Sequence, residues 1–113
     1  MPVRDDATSL RHMLDASRKA IGFIANRSRS DLRSDELLVL ALIRLLEIVG
    51  EAANRTAAAT RERYSGIPWA QVIGMRNRLI HGYDVIDLDV LWQTVVDDLP
   101  TLINELEKIT SAG

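Results

Sequence analysis

Seven consecutive residues, Leu37-Leu38-Val39-Leu40-Ala41-Leu42-Ile43, carry no polar side chain, and no other stretch constrains the fold as much. The run is far short of the roughly 18–20 apolar residues that a membrane span requires. Ser34, followed by Asp35 and Glu36, reads as a helix start, a side-chain cap with two acids favoured by the dipole. A helix is therefore expected from Asp35 to about Arg61. Its front half is apolar nearly all round, so it should be buried on more than one side, either as the central helix of a small domain or against a second chain. Gly50, Ala52 and Ala53 would let another backbone approach closely. Glu47, Glu51 and Asn54 form a polar stripe with Arg44 and Arg55 in pairing reach. That stripe suits either a self-paired, solvated face or the support of a site elsewhere.

The other segments read as helices around this one. Leu10, Met13, Leu14, Ile21 and Ile24 fall on one face of a helix from about Val3 to Asn26, weakened locally by Gly22; His12 on it reads as a surface residue. Tyr64-Ser65-Gly66 is a turn, and Pro68 suits the first position of a short third helix reaching about His81. Val72, Met75 and Leu79 should face its core side. Asp87 is the expected cap of a fourth helix through about Thr110, with an apolar stripe from Leu88 to Ile109. Pro100 should kink or restart it. No strand signal stands out. The expectation is an all-α, up-and-down four-helix bundle, with a possible fifth segment at the kink, forming one domain over residues 1–113.

Composition excludes several kinds of chemistry. With no cysteine and two histidines, a thiolate nucleophile is excluded and a zinc site is not expected. The Asp84, Asp87, Asp89 spacing lacks the glycine and closing glutamate of a calcium loop, and no Gly-rich phosphate loop is present. No metal or other cofactor is expected. Met1 to Asp6 carries no secretory pattern, so the chain reads as soluble and cytoplasmic, without a membrane partner, and the two Asn-x-Ser/Thr triplets as chance matches. The net charge is −2, but residues 1–78 hold 13 basic against 9 acidic residues while residues 79–113 hold Lys108 against 7 acids. A basic first part that ends at Arg76 and Arg78 fits an anionic ligand.

The rarer chemistry is concentrated in Arg76-Asn77-Arg78-Leu79-Ile80-His81-Gly82-Tyr83. On a continuous helix Asn77 and His81 would share a face, whereas Arg76 and His81 would point roughly 140° apart. One copy would then not aim both at one atom. Gly82 is the residue type that ends helices, so the helix should stop at about His81 with Tyr83 folding back beside it. Histidine, arginine and no metal suit phosphodiester cleavage in RNA: the 2′-hydroxyl attacks, the imidazole carries a proton and arginine meets charge growing on phosphorus. Because this chemistry works best with both an acid and a base, a two-fold dimer that brings the stretch in twice is favoured. The residues alone also leave open a plain helical interaction domain, with Arg76 paired to Asp84 or Asp87.

The stretch resembles the R-x4-H-x-Y motif of HepT toxins, which are HEPN-domain ribonucleases. Leu46 to Ala53, Ile67-Pro68-Trp69, and Trp92 with Asp98-Leu99-Pro100-Thr101-Leu102 resemble that family's segments in the same order, over roughly residues 34 to 108. The resemblance implies a metal-independent endoribonuclease toxin acting as a homodimer, with Arg76 and His81 catalytic at the dimer interface and Asn77 orienting the site. Arg78, Glu47 and Glu51 are candidates for supporting or RNA-contacting roles. It further implies a cognate MntA-like nucleotidyltransferase antitoxin that transfers AMP to Tyr83, where the added phosphodiester would exclude RNA. The alternative is a catalytically inactive HEPN dimer that serves as binding partner of a nucleotidyltransferase.

Overall fold

The computed structural model describes residues 2–81 and 85–112, with side-chain surroundings for 6–81 and 85–110. Gly82, Tyr83 and Asp84 lie outside the described residues, and with them the expected site of AMP transfer. The chain runs through α1 (Pro2–Ile24), α2 (Asp31–Ser34), α3 (Glu36–Arg55), α4 (Ala58–Arg63), α5 (Trp69–Ile73), β1 (Ile80–His81), β2 (Val85–Ile86), α6 (Leu88–Gln93), a π-helical segment (Thr94–Asp98) and α7 (Leu99–Ala112). The all-α expectation holds: the two strands form only a two-rung antiparallel ladder, Ile80 opposite Ile86 and His81 opposite Val85.

α1 packs along α3 and α7, and α5 packs against α3. The expected stripes supply the core: Met13 and Leu14 from α1; Leu42, Leu46 and Val49 from α3; Leu91, Val95, Leu99 and Leu106 from the last helical stretch. Between them sit Val72, Met75 and Leu79, all fully or nearly buried, as their spacing predicts. Fully burying one such aliphatic side chain is worth roughly 1.5–3 kcal/mol.

Several helix boundaries differ from expectation. The cap of α3 is Asp35, one residue after Ser34; its carboxylate accepts the Leu38 N–H at 3.0 Å and meets Arg27 at 3.0 Å. The second expected helix breaks at Thr56 instead of reaching Arg61. Thr56 turns into extended backbone, its hydroxyl donates back to the Ala52 carbonyl, and Arg61 donates to the carbonyls of Thr56 and Asn54. Asp6, brought in from α1, accepts the Ala57 N–H and the Thr60 hydroxyl and so caps α4. The fourth helix starts at its expected cap, Asp87. Ahead of Pro100, which has no N–H to offer the Val96 carbonyl, it widens into the π-helical segment.

The largest departure is the third helix, which ends at Ile73 with Gly74 as its C-terminal cap. From there the chain advances through tight three-residue turns, Met75 N–H to Val72 O, Asn77 N–H to Gly74 O and Leu79 N–H to Arg76 O. It then enters the small hairpin. The expected helical face shared by Asn77 and His81 therefore does not exist. Pro68 precedes α5 as its N-terminal cap instead of occupying its first turn.

Candidate functional site

Arg76 owes its position to Gly50. A Cβ on Gly50 would lie 3.1 Å from the Ile73 carbonyl oxygen and 3.3 Å from that of Val72, so only glycine lets the end of α5 sit against α3 at this distance. Three residues beyond Ile73, Arg76 reaches Glu47 on α3, Nε lying 2.9 Å from Oε2. The pair is electrostatic: Nε is buried, but its N–H is not aligned on an acceptor. Glu47 is shared, since its other oxygen accepts from Arg44 Nη1 at 2.7 Å, and Arg44 stands 3.9 Å from Glu51. Glu47, Glu51, Asn54, Arg76 and Asn77, with Gly50 and Ile73, line a shallow concavity of about 250 Å³. The polar stripe of α3 is thus both self-paired and part of the surroundings of Arg76.

His81 belongs to a different support. It stands exposed on β1, with Nε2 3.2 Å from Asp87 Oδ2, and it does not line the Arg76 concavity. Asp87 is itself tightly held. Its N–H donates to the Leu79 carbonyl at 2.7 Å, and its Oδ1 accepts the Val90 N–H at 3.0 Å. That backbone hydrogen bond, together with the hydrogen bond and charge of His81, holds the Asp87 carboxyl below its ordinary value despite some desolvation. Arg78 points to a third place, 3.6 Å from Asp98 at the π-helical segment. Of the expected site residues, the fold therefore gathers Arg76, Asn77, Glu47 and Glu51, and sets His81 and Arg78 apart from them.

Asp87 is the residue whose contact was not anticipated. Its capping role is readable from Asp87-Leu88-Asp89, but its pairing with His81 depends on the hairpin, which two-residue strands do not announce in a sequence. A larger cleft of about 600 Å³, between α1, α4 and α7, is lined by Asp6, Arg11, His12, Arg63 and Tyr64 among others and shares no residue with the stretch from Arg76 to His81. Among the described residues, no group of three or more His, Asp or Glu side chains is gathered as a metal would need. Among the described residues, too, no helix is long and apolar enough to cross a membrane.

The stretch of turns, hairpin and cap sits within a region shared with known proteins. The family described as "Ribonuclease HepT-like" matches residues 13–109. A Thermococcus cleftensis protein named "Probable ribonuclease HepT" is 39% identical over 79 residues, covering 70% of this chain and 72% of its own. Proteins named "Putative RNase" are similar over more of the length: one from Methanocaldococcus jannaschii is 34% identical over 107 residues, 95% of this chain and 98% of its own. Another, from Caldanaerobacter subterraneus subsp. tengcongensis, is 33% identical over 100 residues, 88% and 89% respectively. No solved structure gives a significant match. With residues 13–109 matching the family and relatives at this identity over nearly the full length, the chain belongs to the HepT-like ribonuclease family.

Proposed function

We propose that the protein is the toxin of a toxin–antitoxin pair, a metal-independent endoribonuclease whose site is completed by a second copy of the chain. The observation that carries this reading is the separation of Arg76 from His81 onto different supports within one chain. The exposed leucines of α3 support the choice of partner surface. On α3, Leu37 and Leu40 are 80% and 52% exposed, too much for the helix-long burial expected of them. At seven-residue spacing, Leu37 aligns with Arg44 and Glu51, and Leu40 with Glu47 and Asn54. Pairing two copies along this stripe covers the exposed leucines and brings the concavities together.

In such a dimer the stretch is present twice, supplying both a base and an acid. One His81 takes the proton from the 2′-hydroxyl as O2′ bonds to phosphorus. The P–O5′ bond breaks, O5′ takes a proton from the second imidazole, and Arg76 meets the charge on the phosphoryl oxygens, leaving a 2′,3′-cyclic phosphate. Asn77 lines the same concavity and would orient the phosphate. Neutralisation by a cognate MntA-like nucleotidyltransferase would proceed by attack of the Tyr83 phenol oxygen on the α-phosphorus of ATP, releasing pyrophosphate.

A labelled RNA mixture incubated in EDTA with wild type, Arg76→Ala and His81→Ala tests the cleavage. Wild type should cut and both variants should lose on the order of 10²-fold or more; equal cutting by all three would overturn the site. The second reading, an idle dimer serving a nucleotidyltransferase, draws on the ion pair by which Glu47 already neutralises Arg76. It is selected if a dimer with unmodified Tyr83, verified by intact mass, cuts nothing.

A further inference from the structure

We propose that Asp87 is a positioning residue for His81, fixing the imidazole with its proton on Nε2 so that Nδ1 is the nitrogen that exchanges a proton with the substrate. The inference rests on the ribonuclease reading for its consequence, but its geometry stands apart from it.

The carboxylate opposite His81 can only accept. Its Oδ1 takes the Val90 N–H and its Oδ2 lies 3.2 Å from Nε2, so the ring nitrogen facing it must carry hydrogen. Among the described residues no other hydrogen-bond partner meets the ring, which leaves Nδ1 open. Nor can the aspartate drift away to suit the histidine. Its N–H is tied to Leu79 O and its carbonyl accepts the Leu91 N–H at 2.9 Å, so backbone bonds on both sides and the cap itself hold it in place. Ladder pairing of His81 with Val85 brings the histidine to it. One carboxylate thus starts α6 with one oxygen and selects the histidine tautomer with the other. A ring held this way is oriented before substrate arrives, which is where such partners act in catalysis.

Asparagine separates the two duties. Asp87→Asn keeps an oxygen for the Val90 N–H, because asparagine caps helices as well as aspartate. It then presents an amide N–H to Nε2 and drives the proton to Nδ1. In a buried catalytic triad the same exchange lowers turnover about 10⁴-fold. Here the side chains of His81 and Asp87 are 62% and 32% exposed, so solvent competes and a fall of roughly 10- to 100-fold is expected. Asp87→Ser, which caps but is too short to reach the ring, should fall by a similar factor.

The measurement pairs RNA cleavage with ¹⁵N chemical shifts of the His81 ring at a pH where it is neutral. His12→Gln serves as the background, so that one histidine remains. The expected spectrum has protonated Nε2 and bare Nδ1 in the Asp87 protein, with the order reversed in Asp87→Asn, while circular dichroism shows both variants folded. Cleavage by Asp87→Asn within twofold of the Asp87 protein, or a protonated Nδ1 in the Asp87 protein, overturns the proposal. If no preparation cuts RNA, the ribonuclease reading fails, and the tautomer still decides whether Asp87 sets the ring.

Discussion

Alanine in place of glycine should act in opposite directions at two helical positions of this chain. At Gly22, inside α1, a Cβ meets nothing within 4 Å. Gly22→Ala should gain the intrinsic helix preference of alanine, about 0.5–1 kcal/mol. At Gly50 the same gain is opposed, because the added carbon would lie 3.1 and 3.3 Å from two carbonyl oxygens of α5. These are backbone atoms, so the end of α5 must retreat by a few tenths of an ångström, and overpacking of this kind typically costs about 1–3 kcal/mol. The net for Gly50→Ala is a destabilisation of up to about 2 kcal/mol. At roughly 4 °C per kcal/mol for a domain of this size, thermal melts should place Gly22→Ala some 2–4 °C above wild type and Gly50→Ala below it by up to about 8 °C. Since Arg76 follows α5 by three residues, Gly50→Ala should also lower RNA cleavage by about tenfold or more. A Gly50→Ala melting temperature raised as much as that of Gly22→Ala would refute the idea that this contact seats the arginine.

The remaining expectations concern the other supports. Leu37→Asp with Leu40→Asp should convert a dimer to a monomer in light scattering and abolish cleavage. The monomer's own stability should change within about 0.5 kcal/mol, because both side chains are exposed in the single chain; a stable dimer in the double variant would place the interface elsewhere. Glu47→Gln should free Arg76 for anions, raising RNA affinity at low salt and steepening its salt dependence in filter binding; weaker binding would mean that Glu47 orients Arg76 productively. Asp35 and Asp87 both titrate below the ordinary 3.8, chiefly because each accepts a backbone N–H at a helix start. Their contribution to stability is therefore complete above that value and is lost as the pH falls through the lowered folded values. Melts between pH 5 and 2 should show a shallower acid decline for Asp35→Asn and Asp87→Asn than for wild type, and identical slopes would count against both caps.

Periodicity was sufficient wherever a helix has one apolar face and its own stop signals. Leu10, Met13 and Leu14, or Leu91, Val95, Leu99 and Leu106, are buried as their spacing requires. It failed where a boundary is set from a distance. Nothing near Thr56 foretells that Asp6 will arrive to cap α4, and nothing in Arg76 to His81 foretells that the Asp87 N–H will close on Leu79 O. Gly74 was the available hint that the third helix stops early, as a poor helix former two residues ahead of the arginine. The apolar run Leu37–Ile43 shows the opposite limit. A sequence reports that such a helix is to be covered, but whether by its own chain or by a copy depends on the packing, which leaves Leu37 and Leu40 open.

Under the proposed function, the division of the site between supports bears on how the activity can be controlled. Arg76 is anchored through α5 to α3, the helix that also carries the exposed leucines. His81 is anchored through Asp87 to the start of α6, on a two-stranded ladder that precedes it; Tyr83 lies between the two strands in the sequence. A perturbation of the α3 stripe therefore reaches the arginine first, and one at the hairpin reaches the histidine first. Under the proposed function, dimerisation and tyrosine modification act on different halves of one reaction centre. Each half is held by a contact that a single substitution can remove, Gly50 with the α5 carbonyls on one side and Asp87 with the imidazole on the other. The two should contribute to folding independently, since they lie on different elements and share no partner. In cleavage they should not act independently, because under the proposed function arginine and histidine meet on one phosphate.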